Sequence, residues 1–128
     1  MAEPSAAGLD RIADGATPDL LLEIEKDGAV RGILEAYGAE DGHAEIALSV
    51  EDAYQGLGLG RTLFEEGLRH LARRGYEAAD LYCLRENIPV LHLARDAGGR
   101  IEYQGSEVRI EIELGQALDQ AQLPLGRT

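Results

Sequence analysis

Leu20 to Glu25 and Val30 to Tyr37 read as strands, and apolar and polar positions alternate from His43 to Val50. A period of two marks a strand with one covered face. In the third run Ile46, Leu48 and Val50 share one face, and Glu45, Ala47 and Ser49 share the other. Lys26-Asp27-Gly28 is a hairpin turn between the first two runs, and Gly38–Gly42 is a polar turn before the third. These segments predict an antiparallel meander.

The period then changes. From Gly58 to Arg74, Leu63, Phe64, Gly67, Leu68, Leu71 and Ala72 recur at helical spacing. Arg61, Glu65, Glu66, Arg69, His70 and Arg73 fall on the outer side, and Gly75 ends the helix. Ala79 to Leu84 reads as a short buried strand. Asn87 is an N-cap with Pro89 in the first turn, predicting a second helix to about Ala97, stopped by Gly98-Gly99. Ile101–Tyr103, a turn at Gln104-Gly105-Ser106, and alternating Val108, Ile110, Ile112 and Leu114 make a closing hairpin. Residues 1–18 lack a convincing period and are expected to be a mobile segment or a short helix. Residues 19–114 form one domain, and 115–128 a polar tail; no internal repeat is visible.

Between the third strand and the first helix lies Gln55-Gly56-Leu57-Gly58-Leu59-Gly60-Arg61. Glycines there let successive backbone N–H groups converge on an anion, and the helix start adds unpaired donors and its positive dipole end. A pyrophosphate suits such a loop. Gly60-Arg61-Thr62 lacks the lysine of a Walker loop. A dinucleotide-binding loop follows the first strand of a parallel unit, whereas this one follows three meandering strands, and its glycines are spaced Gly-x-Gly-x-Gly.

Val50, four residues, then Gln55 to Arg61 resembles the acetyl-CoA signature of the GNAT acyltransferase superfamily. The likeness continues from about His43 to Gly98: strand, glycine loop, amphipathic helix, strand, then Glu86-Asn87 opening a helix. It implies an α+β fold with a mixed, mostly antiparallel sheet, splayed between its two central strands and flanked by helices. It also implies acetyl-CoA as cosubstrate. The backbone at Leu48, Ser49 and Val50 would pair with the pantetheine arm. N–H groups from Gln55, Gly56, Leu57, Gly58, Leu59, Gly60 and Arg61 would hold the pyrophosphate, and Asn87 would contact the arm. Family members carry a further strand and one or two helices ahead of the strand at 20–25, so here those N-terminal helices are expected to be reduced or absent.

The implied reaction is direct attack of an amine on the thioester in a ternary complex. An ammonium must first lose its proton, which calls for a base. His43-Ala44-Glu45-Ile46-Ala47 resembles the Ala-Glu-Val-Ala strand of bacterial Pat-type protein lysine acetyltransferases, which makes Glu45 the candidate base and a protein lysine the candidate acceptor. In many relatives the general acid that protonates the leaving thiolate is a tyrosine seven residues beyond the asparagine. Here that position is Ala94, and Tyr82, Cys83 and Tyr103 are the alternatives. A non-catalytic acyl-CoA-binding or regulatory module is the competing reading.

Charge narrows the partners. The 128 residues carry a net −12, which argues against nucleic acid. Ten acidic and two basic residues between Asp19 and Tyr54 give −8, whereas four arginines and two glutamates from Arg61 to Arg74 give +2. The acidic half suits a basic acceptor, and the basic helix suits an anion. Absence of a signal-like start or a long apolar run predicts a cytoplasmic protein without membrane contact. No histidine or cysteine spacing predicts a metal, and the closing hairpin at 100–114 offers an edge through which a homodimer could pair.

Overall fold

Asp27 and Gly28 take φ of 54° and 84°, the left-handed pair that a two-residue hairpin turn requires. They join β1 (Leu20–Lys26) to β2 (Ala29–Gly38). A 3-10 turn at Glu40–Gly42 leads into β3 (His43–Val50), and another at Asp52–Tyr54 leads into the glycine loop. Then come α1 (Leu59–Arg73), β4 (Ala78–Leu84), α2 (Ile88–Asp96), β5 (Arg100–Gln104) and β6 (Glu107–Glu113). The computed structural model describes residues 17–115. The expectations for 1–18, for the tail 115–128 and for the N-terminal helices therefore lie almost wholly outside the described residues. Each predicted element is present, with ends shifted by a residue or two. No described helix is long and apolar enough to cross a membrane.

The six strands lie in the order β1-β2-β3-β4-β6-β5. Every pairing is antiparallel except that of β3 with β4, which is parallel and runs only from His43↔Ala78 to Ile46↔Leu81. Past that point β3 stays with β2 as far as Gly32↔Val50, and β4 stays with β6 as far as Leu84↔Glu107. Two half-sheets thus diverge from a common closed end, leaving the inner edges of Ala47–Val50 and Tyr82–Leu84 apart.

Both helices pack on one sheet face, over Leu34, Ala36, Ile46, Leu81, Ile110 and Ile112, all 2% exposed or less. From α1 come Leu63, Phe64, Leu68 and Leu71, each side chain stabilising the fold by about 2 kcal/mol on burial. Gly67 permits the close approach: a Cβ there would meet Leu34 Cδ1 at 2.7 Å.

The opposite face is charged. Asp80 is the one buried charged residue among those described, at 6% exposure. Its Oδ1 accepts from Arg109 Nη2 at 3.0 Å, and its Oδ2 lies 2.9 Å from His43 Nδ1. His43 Nε2 lies 3.7 Å from Glu111, which also pairs with Arg100. The separation of His43 and Asp80 in sequence hides this cluster from spacing rules. Although His43, Asp80 and Glu111 bring ligand atoms within 4.8 Å of one another, two arginines already neutralise the carboxylates, so the group reads as an ion-pair clamp across the closed end of the β3–β4 ladder. Replacing Asp80 with Ala leaves His43 and Arg109 without their shared acceptor. Those partners are 26% and 30% exposed, so water recovers part of the loss, and urea unfolding of Asp80→Ala should show a stability decrease of about 2 kcal/mol.

Candidate functional site

The gap between the half-sheets opens onto the glycine loop. Glu51 N donates to Arg31 O at 2.9 Å, closing β3 against β2. The Gln55 side chain then turns back and donates from Nε2 to Val50 O at 3.1 Å, covering one carbonyl at the end of β3. Gly56 and Gly58 follow at φ of 82° and 85°, conformations that cost an L side chain about 1–2 kcal/mol. Gly58 is the N-cap of α1, with no side-chain cap bond and no acidic residue in the first turn. The first N–H donors of the helix therefore face outward beside the gap.

A cavity of about 320 Å³ fills the space. Leu48, Ser49 and Val50 of β3 form one wall; Gln55, Gly56 and Gly58 of the loop, with Gly60 and Arg61 of α1, form the floor. Asn87, Pro89, Val90 and Leu93 form the far wall. No carboxylate among the described residues lines it. Nine of the eleven residues expected to hold a cofactor meet here. Leu57 is 57% exposed, Leu59 is half-buried, and neither side chain is on the wall. The Asn87 cap accepts from Val90 N through Oδ1 at 3.3 Å, so its Nδ2 is the end left to face a ligand. Pro89, Val90 and Leu93 were not anticipated, although their spacing on a helix opened by Asn87 is the signal for such a wall.

Two side-chain groups brace the site. Arg31 stacks on the Tyr54 ring at 4.4 Å and bonds to Glu51 at 3.2 Å. Tyr54 donates to Asp27 at 3.0 Å, and that bond pushes its hydroxyl pKa upward. The β1–β2 turn is thereby tied to the entry of the glycine loop. Arg61 Nη2 lies 2.5 Å from Asp96 at the end of α2, and this bond raises the guanidinium pKa further.

Glu45 is not on the cavity wall. It lies half-buried on the charged face of β3, about 13 Å along the strand from Ser49. It is, however, one residue before Ile46, whose pair with Leu81 is the last rung of the parallel ladder. Ala94 is wholly buried, with its carbonyl bonded to Gly99 N at 2.8 Å; the wall takes its neighbour Leu93. Cys83 faces the core, and burial pushes its thiol up to about 11. Tyr103 is 48% exposed beneath Arg85. Tyr82 is buried on the charged face, just past the last rung, and is hydrogen-bonded with Arg109.

The model of the Acetyltransferase (GNAT) family matches residues 3–98. The chain is 36% identical over 94 residues to the mycothiol acetyltransferase of Clavibacter sepedonicus, covering 71% of this chain and 31% of that protein. To the mycothiol acetyltransferase of Thermomonospora curvata it is 38% identical over 82 residues, 63% of this chain and 28% of the other. It thus spans less than a third of the length of these curated relatives. Among solved structures, the ribosomal-protein-S18-alanine N-acetyltransferase of Escherichia coli is similar at a TM-score of 0.68 and 17% identity, over 82% of this chain and 75% of that one. The paia N-acetyltransferase of Thermoplasma acidophilum, solved with coenzyme A, is similar at 0.66 and 22%, over 84% and 67%. These last two likenesses are of fold.

Gly58 and Gly60 make a controlled contrast. Gly58→Ala must hold φ near +85° and should lower unfolding stability by about 1 kcal/mol. Gly60 is helical, and an added Cβ would meet Val50 and Leu93 at ordinary distances of 3.6 and 4.0 Å. Gly60→Ala should leave thermal unfolding unchanged or shift it slightly upward.

Proposed function

The chain belongs to the GNAT acetyltransferase family, and from that premise we propose that it is an N-acetyltransferase moving an acetyl group from acetyl-CoA to an amine. The observation that carries this is the β3 edge beyond its last pair with β4 meeting an uncapped helix N-terminus in one cavity that no described carboxylate lines. An uncapped end with glycines at positive φ fits a pyrophosphate, and a strand edge beyond its last parallel pair fits the amides of a pantetheine arm.

When bound, acetyl-CoA supplies an activated thioester. The Leu48–Val50 backbone orients the arm, the N–H groups from Gln55 to Arg61 hold the phosphates, and Asn87 steadies the arm from the far wall. Leu57 and Leu59 take part through the backbone alone. The gap narrows toward Ile46↔Leu81, which brings its inner end beside Glu45. Glu45 takes the ammonium proton of the acceptor, and Tyr82 is the tyrosine whose position on the same face suits proton return to the leaving thiolate.

The acceptor is a cationic amine. On the charged face Glu23, Glu35 and Glu45 run diagonally across β1, β2 and β3, about 7–8 Å from one to the next. No ion pair among the described residues involves any of the three. A protein lysine, suggested by the Pat-type likeness at His43–Ala47, is the acceptor class we favour, in the cytoplasmic setting that the sequence suggests. The position of Glu45 outside the cavity and the burial of Ala94 favour one alternative, a module that binds acyl-CoA without transferring the acyl group.

Acetyl-CoA at a hundred times its Kd should stabilise the fold by about 2.7 kcal/mol, seen as a rise in Tm. CoA release with lysine peptides and with spermidine then separates the readings: turnover supports the transferase, binding without turnover supports the module, and no Tm change defeats both. For the transferase, Glu45→Gln should cut kcat/KM about a hundredfold at neutral pH. The deficit should narrow as pH rises toward the range in which the amine is itself deprotonated. Equal rates for the variant and wild type at every pH would remove Glu45 as the base.

A further inference from the structure

Arg61 and Asp96 each carry the wrong charge for the helix end they occupy. Arg61 sits in the first turn of α1, where outward N–H groups make the positive dipole end. Asp96 is the last residue of α2, where unpaired carbonyl oxygens make the negative end. Each opposes its own helix, and each is compensated by the other at 2.5 Å. Glu65, 3.6 Å from Nη1, is a weaker second partner. The two side chains are 45% and 58% exposed, so the pair contributes little net stability and either partner can leave it at low cost.

Arg61 lines the cavity and Asp96 does not. Arg61 is the third residue of α1, directly after the glycine loop, and its guanidinium turns toward Glu65 and Asp96. Arg61 is the one cationic residue among the described residues that line the cavity, and its guanidinium is engaged by a carboxylate that is not among them.

We propose that Asp96 is a positioning residue that holds Arg61 beside the cavity and competes with the phosphates of acyl-CoA for it, lowering cofactor affinity and speeding CoA release. The inference rests on the acyl-CoA reading above. A pyrophosphate at the start of α1 offers the guanidinium a bidentate anion in place of the carboxylate. It also neutralises the helix end that Arg61 opposes. The exchange leaves Asp96 unpaired against the carbonyl end of α2, a cost that sets the balance between holding and releasing the ligand.

The test is calorimetric titration of acetyl-CoA into wild type, Asp96→Asn, Arg61→Ala and the double variant at several salt concentrations. Asp96→Asn should lower Kd by about three- to tenfold and steepen its salt dependence. In the Arg61→Ala background the same change should have no effect. Asp96→Glu, which keeps the carboxylate, should stay close to wild type. Acetyl-pantetheine, which has no phosphates, should bind wild type and Asp96→Asn equally. An unchanged or higher Kd in Asp96→Asn, or an equal gain without Arg61, overturns the role of Asp96 and leaves the acyl-CoA reading standing. Absence of binding heat from acetyl-CoA in all four proteins overturns both.

Discussion

The short parallel ladder between β3 and β4 is the constraint on which the rest of the structure depends. Each strand has a committed antiparallel partner on its other side, and those ladders continue to Val50 and Leu84. As the half-sheets diverge, the central pairing is given up after Ile46↔Leu81. Unpaired backbone groups inside a protein are costly, so the opened edge needs partners. Gln55 supplies one to Val50 O. The remainder face a cavity of ligand size whose floor is a helix end with unpaired donors. One topological choice thus makes both the cleft and its demand for a polar, extended occupant.

The same arrangement reconciles a net charge of −12 with an anionic ligand. Alternation along β3 sends Glu45 to one face and Leu48 and Val50 to the other. Carried across β1, β2, β3, β4 and β6, that rule puts Glu23, Glu35, Glu45, Asp80 and Glu111 on the face away from the helices. On the β4–β6 side the acids are balanced by Arg109 and Arg100, with His43 hydrogen-bonded to Asp80. On the β1–β3 side they are not balanced by any described cation. The repulsion expected from the composition is therefore directed away from the cavity, toward a face suited to a cationic partner.

Local patterns made much of this legible. A period of two assigned the faces of β3 and β6, the glycine spacing marked the loop, and Asn87 followed by Pro89 marked the start of α2. What stayed hidden depends on neighbours distant in sequence. Asp80 looks like an isolated acid inside a buried strand until β4 is inserted between β3 and β6, which brings His43 and Arg109 to it. Arg61 and Asp96 are likewise far apart until α1 and α2 share one face of the sheet. Ala94 shows the limit of counting from a motif. One residue is about 100° around a helix, enough to put Ala94 in the core and Leu93 on the cavity wall.

The two ends of β3 divide the work. At its start, His43 is clamped through Asp80 to β4 and β6 on the charged face, while Ala44 and Ile46 are buried under the helices. At its end the same strand has lost its parallel neighbour and borders the cavity. The transition falls between Ile46 and Ala47, where the sheet stops being a closed wall. For the proposed reaction, a ligand entering from the helix side and a cation approaching from the acidic side would meet there, since among the described residues the clamp closes the sheet on one side of that point and the diverging half-sheets lead away from it on the other. Under this geometry the reacting groups need not share a pocket. In the proposed transferase they reach the same gap from opposite faces, so Glu45, the proposed base, lies off the cavity wall and one residue before the last rung of the ladder.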